Sequence, residues 1–235
     1  MKKLPLIPSL ITLFFVLLMS YLGFWQLDRA QEKEQMLVLL ADDNITQIKD
    51  RSQLQDLPQY ANIEITGHYL QQPQLLLDNQ VDNQVIGYHV FTPFKLDSLN
   101  ATIMVNRGWI AKQGFEPDTL RINGLTTTIM GKSNFPPQVG IQLGEIELNQ
   151  QKPYQVMTYF DKSKVSQFLH GLICKQLDCL VSSNILWLQA DQAQGFKRDW
   201  NPIIMLPSKH IAYAVQWFAM TFVLIGLFFY WVRKS

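Results

Sequence analysis

Two long uncharged apolar segments, residues 6–27 and residues 211–232, lie near the two ends of the chain. Each has 22 residues, and at about 1.5 Å per residue a helix of that length crosses a hydrocarbon core of about 30 Å. The mean hydropathy over the whole chain, +0.00, does not reveal these segments. They exclude an ordinary cytosolic enzyme and leave residues 28–209, enough for a single domain with its own core.

The charges predict how the chain crosses the membrane. Four of the 20 Lys and Arg residues lie in the tails, residues 1–5 and 233–235, so the region between the spans holds 16 basic residues against 19 acidic ones, a net charge of −3. Short basic tails stay in the cytoplasm. We therefore expect both termini in the cytoplasm and the domain in the periplasm of a bacterium or the mitochondrial intermembrane space. A domain with this charge gives no reason to expect binding to nucleic acid.

The first span has one alternative, a cleaved signal peptide after Lys2 and Lys3. Its apolar run is longer than the roughly 7 to 15 residues usual in a signal peptide, and no A-x-A-like cleavage site follows it. Trp25 at the end of this span and Trp231 at the end of the other suit the headgroup level of a bilayer. The pattern favours a retained anchor.

The region between the spans has the pattern of a β-rich domain. Residues 28–40 lack Gly and Pro and predict a continuation of the first helix by about three turns. Apolar and polar residues alternate over residues 61–69, which predicts a strand with one wet face. Further extended runs occupy residues 74–78, 85–94, 101–110, 126–131, 154–160 and 185–190, and residues 161–172 predict a helix. The predicted fold is an α+β membrane protein with an antiparallel, β-rich extracytoplasmic sheet or small barrel.

Cys174 and Cys179 are the two cysteines of the chain, and their spacing fits neither a C-x-x-C redox motif nor a haem attachment motif. In an oxidising compartment the leading interpretation is a structural disulfide. Two free buried thiols and a copper site are the alternatives.

His210 stands at the mouth of the second span and shares one helical stripe with Tyr213, Ala214 and Trp217. An imidazole among aromatic rings and a small residue suits a flat, apolar ligand, and imidazole is a common axial ligand of haem iron. The alternative is that His210 lies at the interface while the two rings pack on the first span. No catalytic residues are predicted.

Polar residues also mark the end of the first span. Gln26, like Gln216 in the second span, is an amide that tends to find an interhelical partner in a membrane. Arg29 lies just outside the lipid, where it can meet a lipid phosphate or a carboxylate such as a haem propionate, with an intrahelical pair to Glu32 as the alternative.

Four blocks of the sequence, in order, resemble the surfeit locus family of assembly factors for haem-copper cytochrome oxidases. The blocks are Gly23-Phe24-Trp25-Gln26 with Arg29, then Gly87-Tyr88-His89-Val90-Phe91-Thr92-Pro93-Phe94, then Val105-Asn106-Arg107-Gly108-Trp109, and finally His210 with Tyr213, Ala214, Trp217 and Phe218. Each block alone is weak, but their order between two spans makes the resemblance specific. It covers nearly the whole chain.

The resemblance implies a non-enzymatic factor of the inner membrane that helps to build the catalytic subunit of cytochrome c oxidase and handles haem a. It implies that His210 binds the haem iron, since a histidine at this place is implicated in haem binding in bacterial members. Haem a synthase and membrane lipid are further candidate partners. The predicted cofactor-binding set is His210, Tyr213, Trp217, Trp25, Gln26 and Arg29. One departure is Lys209, where the family often has Asn.

Two other functions stay open on the sequence. One is a membrane scaffold for the oxidase with the same fold and no cofactor, and the other is a periplasmic sensor or transport-accessory protein.

Overall fold

The computed structural model describes residues 6–138, 144, 146–173 and 179–234. The described residues form two compact units. One is helical and consists of the residues up to Ala41 and from Asn201 onward, and the other is the β-rich unit Asp42–Trp200.

Two long helices make up the helical unit, α1 (Leu6–Ala41) and α4 (Pro207–Lys234). Helix α1 is continuous through residues 28–40, so the predicted extension beyond the first span is confirmed. Proline suits the first position of α4, and Arg233 and Lys234 in its last turn favour the negative end of the helix dipole. Both helices are long and apolar enough to cross a membrane, and only 6% and 11% of their apolar windows are buried, unlike the core helix of a soluble protein.

Small residues let α1 and α4 pack closely. Gly23 of α1 lies against the ring of Phe218, and a Cβ at that position would stand 2.6 Å from the ring. Phe24 makes an edge contact with the same ring, with a centroid distance of 5.2 Å. Ala214 and Thr221 of α4 are buried. Small residues at the contact are what allow helix backbones to approach within a membrane.

The β-rich unit contains eight described strands and two described helices. The strands are β1 (Ile45–Gln47), β2 (Asn62–Tyr69), β3 (Gln74–Asp82), β4 (Val85–Leu96), β5 (Ala101–Ala111), β6 (Thr127–Asn134), β7 (Tyr154–Met157) and β8 (Leu180–Leu188). The helices are α2 (Arg51–Gln55) and α3 (Lys162–Ile173). Two short 3₁₀ turns lie at Asp97–Leu99 and Pro117–Leu120.

Five of these strands close into a barrel in the order β2, β6, β8, β5, β4 and back to β2. The closing contact is antiparallel and pairs His68 with Lys95 and Tyr69 with Phe94. Strands β3 and β7 continue the sheet beyond β4. The predicted β-rich domain between two flanking helices is confirmed.

The sheet is mixed rather than wholly antiparallel. Strand β1 runs parallel to β2, β7 to β3, and β8 to β5, while the other strand pairs in the described part of the chain are antiparallel. Parallel neighbours need a crossover connection. Helix α3, between β7 and β8, belongs to the connection that brings β8 back parallel to β5.

The apolar side chains of the domain form two main clusters. One fills the barrel and contains Ile63, Ile65 and Tyr69, the inward side of the alternation predicted for β2. The other lies between the sheet and α3 and contains Phe91, Phe160, Phe168 and nine further buried residues.

Cys179 is disulfide-bonded in the structure. Cys174 lies outside the described residues, so the predicted pairing of Cys174 with Cys179 stays a prediction.

Candidate functional site

The helix pair brings together two of the predicted site residues from opposite ends of the chain. His210 is in the first turn of α4, and its imidazole is partly buried. Its Nδ1 lies 2.7 Å from Oε1 of Gln26, which projects from α1. The bond joins the two helices and holds the imidazole in one place. Gln26 thus has the interhelical partner that the sequence predicted, while Gln216 is exposed.

The stripe that begins at His210 runs along the edge of the helix pair. Ala214 is buried at 1% exposure, Trp217 is partly buried, and Tyr213 is 45% exposed. The carbonyl of Trp217 accepts a hydrogen bond from Thr221 Oγ1 at 2.9 Å. One side of the stripe is therefore packed, and the other side presents an aromatic ring to the surroundings.

The polar end of the first span forms a small cluster on α1. The guanidinium of Arg29 lies 5.6 Å from the ring of Trp25, and its Nη1 is 2.6 Å from Oε2 of Glu32. The pair with Glu32 is the alternative that the sequence left open for Arg29. Because both side chains are about half exposed, at 46% and 50%, the pair contributes at most about 1 kcal/mol. Arg29 can exchange this partner for another anion at low cost.

A protein-made metal site is absent from the described ranges, since they contain no group of three or more His, Cys, Asp or Glu residues that could hold a metal ion. His210 therefore offers a single imidazole. A metal bound there has to bring its other ligands with it, as iron does in a macrocycle.

Arg107 lies in the β-rich unit, where it is buried and holds together segments that are distant in sequence. Its Nε donates to the carbonyl of Gln194 at 2.6 Å, and its Nη1 donates to Oε1 of Gln74 at 3.0 Å. The guanidinium also lies 4.8 Å from the ring of Phe196. Burial lowers the pKa of Arg107 to about 10, which leaves it charged at neutral pH. These contacts give Arg107 a structural role in the domain.

Gly108 and Trp109, the neighbours of Arg107 on β5, hold the segment around Lys197 against this strand. Gly108 has a φ of +114°, and a Cβ there would stand 2.5 Å from the carbonyl oxygen of Lys197. Trp109 exchanges backbone hydrogen bonds with Lys197, and its Nε1 donates to the carbonyl of Gln80 at 2.9 Å. Only glycine fits the position between Arg107 and Trp109.

An aromatic cluster around His89 was not predicted from the sequence. Trp200 stacks on Trp187 with a centroid distance of 5.1 Å and meets the edge of His89 at 5.8 Å. Nδ2 of Asn106 lies 3.2 Å from Nδ1 of His89. Burial lowers the pKa of His89 to about 4, and the charge of Asp82 opposes this shift. His89 thus packs against the tryptophan pair, and the spacing of Trp187 and Trp200 in the sequence does not predict that they stack.

Known proteins resemble this chain along most of its length. It is 24% identical over 235 residues to a SURF1-like protein of Rickettsia conorii, an alignment that covers 96% of this chain and 90% of that protein. It is 32% identical over 107 residues to a SURF1-like protein of Rickettsia bellii, covering 44% of that protein, and 28% identical over 112 residues to the cytochrome oxidase assembly protein SHY1 of Saccharomyces cerevisiae, covering 28% of it. The model of the SURF1 family matches residues 13–222. Since this match includes Gln26, His210 and the whole β-rich unit, the chain belongs to the SURF1 family.

Proposed function

We propose that this protein is a membrane-anchored assembly factor for cytochrome oxidase. In this role it binds haem a through His210 before the haem reaches the catalytic subunit of the oxidase. The yeast relative is by name a cytochrome oxidase assembly protein, and that role is extended to this chain by the shared family. The role assigned is binding and positioning rather than catalysis.

The observation that carries the haem part of the proposal is the partly buried imidazole of His210, held across the helix pair by Gln26 at 2.7 Å. Haem iron takes imidazole as an axial ligand. A ring fixed by a hydrogen bond loses less freedom on binding than a mobile one, so this geometry favours ligation.

The surroundings of His210 fit a flat, apolar macrocycle with acidic substituents. Tyr213 and Trp217 offer aromatic surface beside it, while Ala214 is buried on the packed side of the same stripe. Trp25 and Arg29 form the polar end of the first span, where the exposed guanidinium suits a propionate carboxylate. Haem a, when bound, would supply the iron, and the side chains of this chain would supply a nitrogen ligand, the apolar faces and the countercharge.

The test compares wild-type protein with His210→Ala in cells that make haem a and lack their own copy of the gene. We expect the purified wild-type protein to show a haem absorption spectrum and His210→Ala to lose at least about 90% of its haem, since His210 is the single histidine of the helical unit. Oxidase activity of the cells is measured in parallel. His170→Ala is the matched control, because His170 is an exposed histidine on α3 and should retain full haem content.

The outcomes separate the proposal from its alternatives. Equal haem content in His210→Ala and wild type would contradict ligation by His210. A wild-type protein that restores oxidase activity without ever containing haem would indicate a scaffold. Normal oxidase activity in the strain that lacks every copy of the gene would rule out an assembly role and favour a sensor or transport accessory.

A further inference from the structure

We propose that Gln26 is a positioning residue that fixes the proton of the His210 imidazole on Nδ1 and leaves the lone pair of Nε2 free to bind iron. The inference rests on the proposed haem function, but it concerns a property that the protein has without haem. In this proposal Gln26 affects haem binding by fixing the tautomer of His210 and does not itself contact the haem.

The direction of the hydrogen bond follows from the atoms that face each other. Nδ1 of His210 lies 2.7 Å from Oε1 of Gln26, and an amide oxygen carries lone pairs but no hydrogen. With this oxygen as the acceptor, we infer that the imidazole is the donor and carries its proton on Nδ1. A neutral imidazole has one N–H, so Nε2 is unprotonated.

An unprotonated nitrogen is what a metal requires. Histidine ligands of metals commonly donate their other N–H to a carbonyl or carboxylate, which fixes the tautomer and raises the basicity of the binding nitrogen. Gln26 provides this acceptor from a separate helix. Its backbone lies three residues after Gly23, where α1 packs closely on the ring of Phe218 from α4, so the acceptor is held on a rigid element.

His89 shows the opposite arrangement within the same chain. Oδ1 of Asn106 accepts the backbone N–H of Gly108 at 3.1 Å, which turns Nδ2 of Asn106 toward Nδ1 of His89 at 3.2 Å. Nδ1 of His89 therefore accepts, and the proton is on Nε2. Both histidines face an amide, but only His210 faces its oxygen. The two histidines therefore differ in which ring nitrogen carries the proton.

The first experiment uses the haem-free full-length protein in detergent micelles with ¹⁵N-labelled histidine. In the wild type, we expect the Nε2 resonance of His210 at the shift of an unprotonated ring nitrogen and the Nδ1 resonance at that of a protonated one. His210→Ala assigns the signals. In Gln26→Leu the proton should move to Nε2, which is the preferred tautomer of an unconstrained imidazole, whereas Gln216→Leu, at an exposed amide of α4, should leave the spectrum unchanged.

The second experiment measures haem binding in the same variants. Removal of such an outer partner commonly costs about 10- to 100-fold in metal affinity, so we expect Gln26→Leu to weaken haem binding by about that factor. Gln26→Glu keeps the size and the acceptor and adds a charge, so it should retain haem and lower the midpoint potential of the iron. Circular dichroism of both variants establishes that the helices are formed.

The results distinguish failure of this inference from failure of the proposed function. A wild-type His210 protonated on Nε2, or a Gln26→Leu protein with the wild-type tautomer, would overturn the positioning role whatever the haem content. If His210→Ala kept its haem while the tautomer depended on Gln26, the positioning of the ring would stand and ligation by His210 would fall.

Discussion

His89 and His210 each place Nδ1 against a side-chain amide, and the atom that the amide presents differs. At His210 the oxygen of Gln26 accepts the N–H of the ring, and at His89 the nitrogen of Asn106 makes the ring an acceptor. The sequence shows four histidines and their positions. It does not show which amide atom each of them meets, because that depends on contacts between residues as far as 184 positions apart.

We expect the domain to lose stability in mild acid because His89 is partly buried in it. Its pKa is about 4 in the folded protein, against an ordinary value of 6.5, because burial disfavours the charged ring. Between these values the unfolded chain takes up a proton that the folded chain does not, so stability is complete above about pH 6.5 and falls as the pH drops toward about 4. The loss should be on the order of 2 to 3 kcal/mol.

Urea unfolding of the full chain in detergent micelles, at about pH 7 and about pH 4.5, measures this loss. We expect His89→Gln to be less stable than wild type at neutral pH, because the ring no longer packs on Trp200, and to depend less on pH. His170→Gln, at an exposed position, should follow the wild-type slope. Equal slopes in all three proteins would contradict the prediction.

At the scale of the elements, strand and helix positions followed from the sequence where the pattern was long and regular. The alternation that ends at Tyr69 identified β2, and the run after Asp161 identified α3. The short elements β1 and α2 were missed. A signal for α2 was present, since Asp50 and Gln53 form a capping box at its start, but a helix of five residues leaves no periodic pattern to support it.

The contact between α1 and α4 predicts different outcomes for two glycines. Gly23→Leu should weaken the helix pair by about 1 to 3 kcal/mol, because even its Cβ would stand 2.6 Å from the ring of Phe218. Gly226→Leu is the matched control on α4, since a Cβ added there would have open space around it within the described part of the chain. Thermal unfolding in detergent, followed by far-ultraviolet circular dichroism, compares the two variants.

Gly23→Leu should also release the hydrogen bond between Gln26 and His210, because both residues depend on the same close approach of the helices. The ¹⁵N spectrum of His210 reports this directly. A Gly23→Leu protein with unchanged stability and an unchanged His210 tautomer would show that the contact with Phe218 does not hold the pair together.

At the scale of the whole molecule, the charge distribution predicts that both termini lie in the cytoplasm and that the β-rich unit lies on the other side of the membrane. Alkaline phosphatase fusions should be inactive at either terminus and active when inserted at the exposed, positive-φ Gly114. A fusion at residue 235 that is active in the periplasm would contradict this orientation. In that case the compartment of the domain would give no reason to expect a disulfide at Cys179.

The closure of the barrel could not be predicted from the sequence. Composition and periodicity predicted a β-rich domain between two spans, and the resemblance of four blocks predicted its family. The parallel pairing of β5 with β8 and the contact of β2 with β4 were beyond reach, because strand periodicity shows which faces are buried but not which strands are neighbours.

Gln26 and His210 are 184 residues apart in the sequence, so they are synthesised at different times. A ribosome makes Gln26 early and His210 only after the entire barrel, so the imidazole gains its support when the second helix has entered the membrane beside the first. A chain cut short anywhere in the domain contains Gln26 and lacks His210. On the proposed function, the order of synthesis therefore confines haem binding at His210 to chains whose second helix has been made.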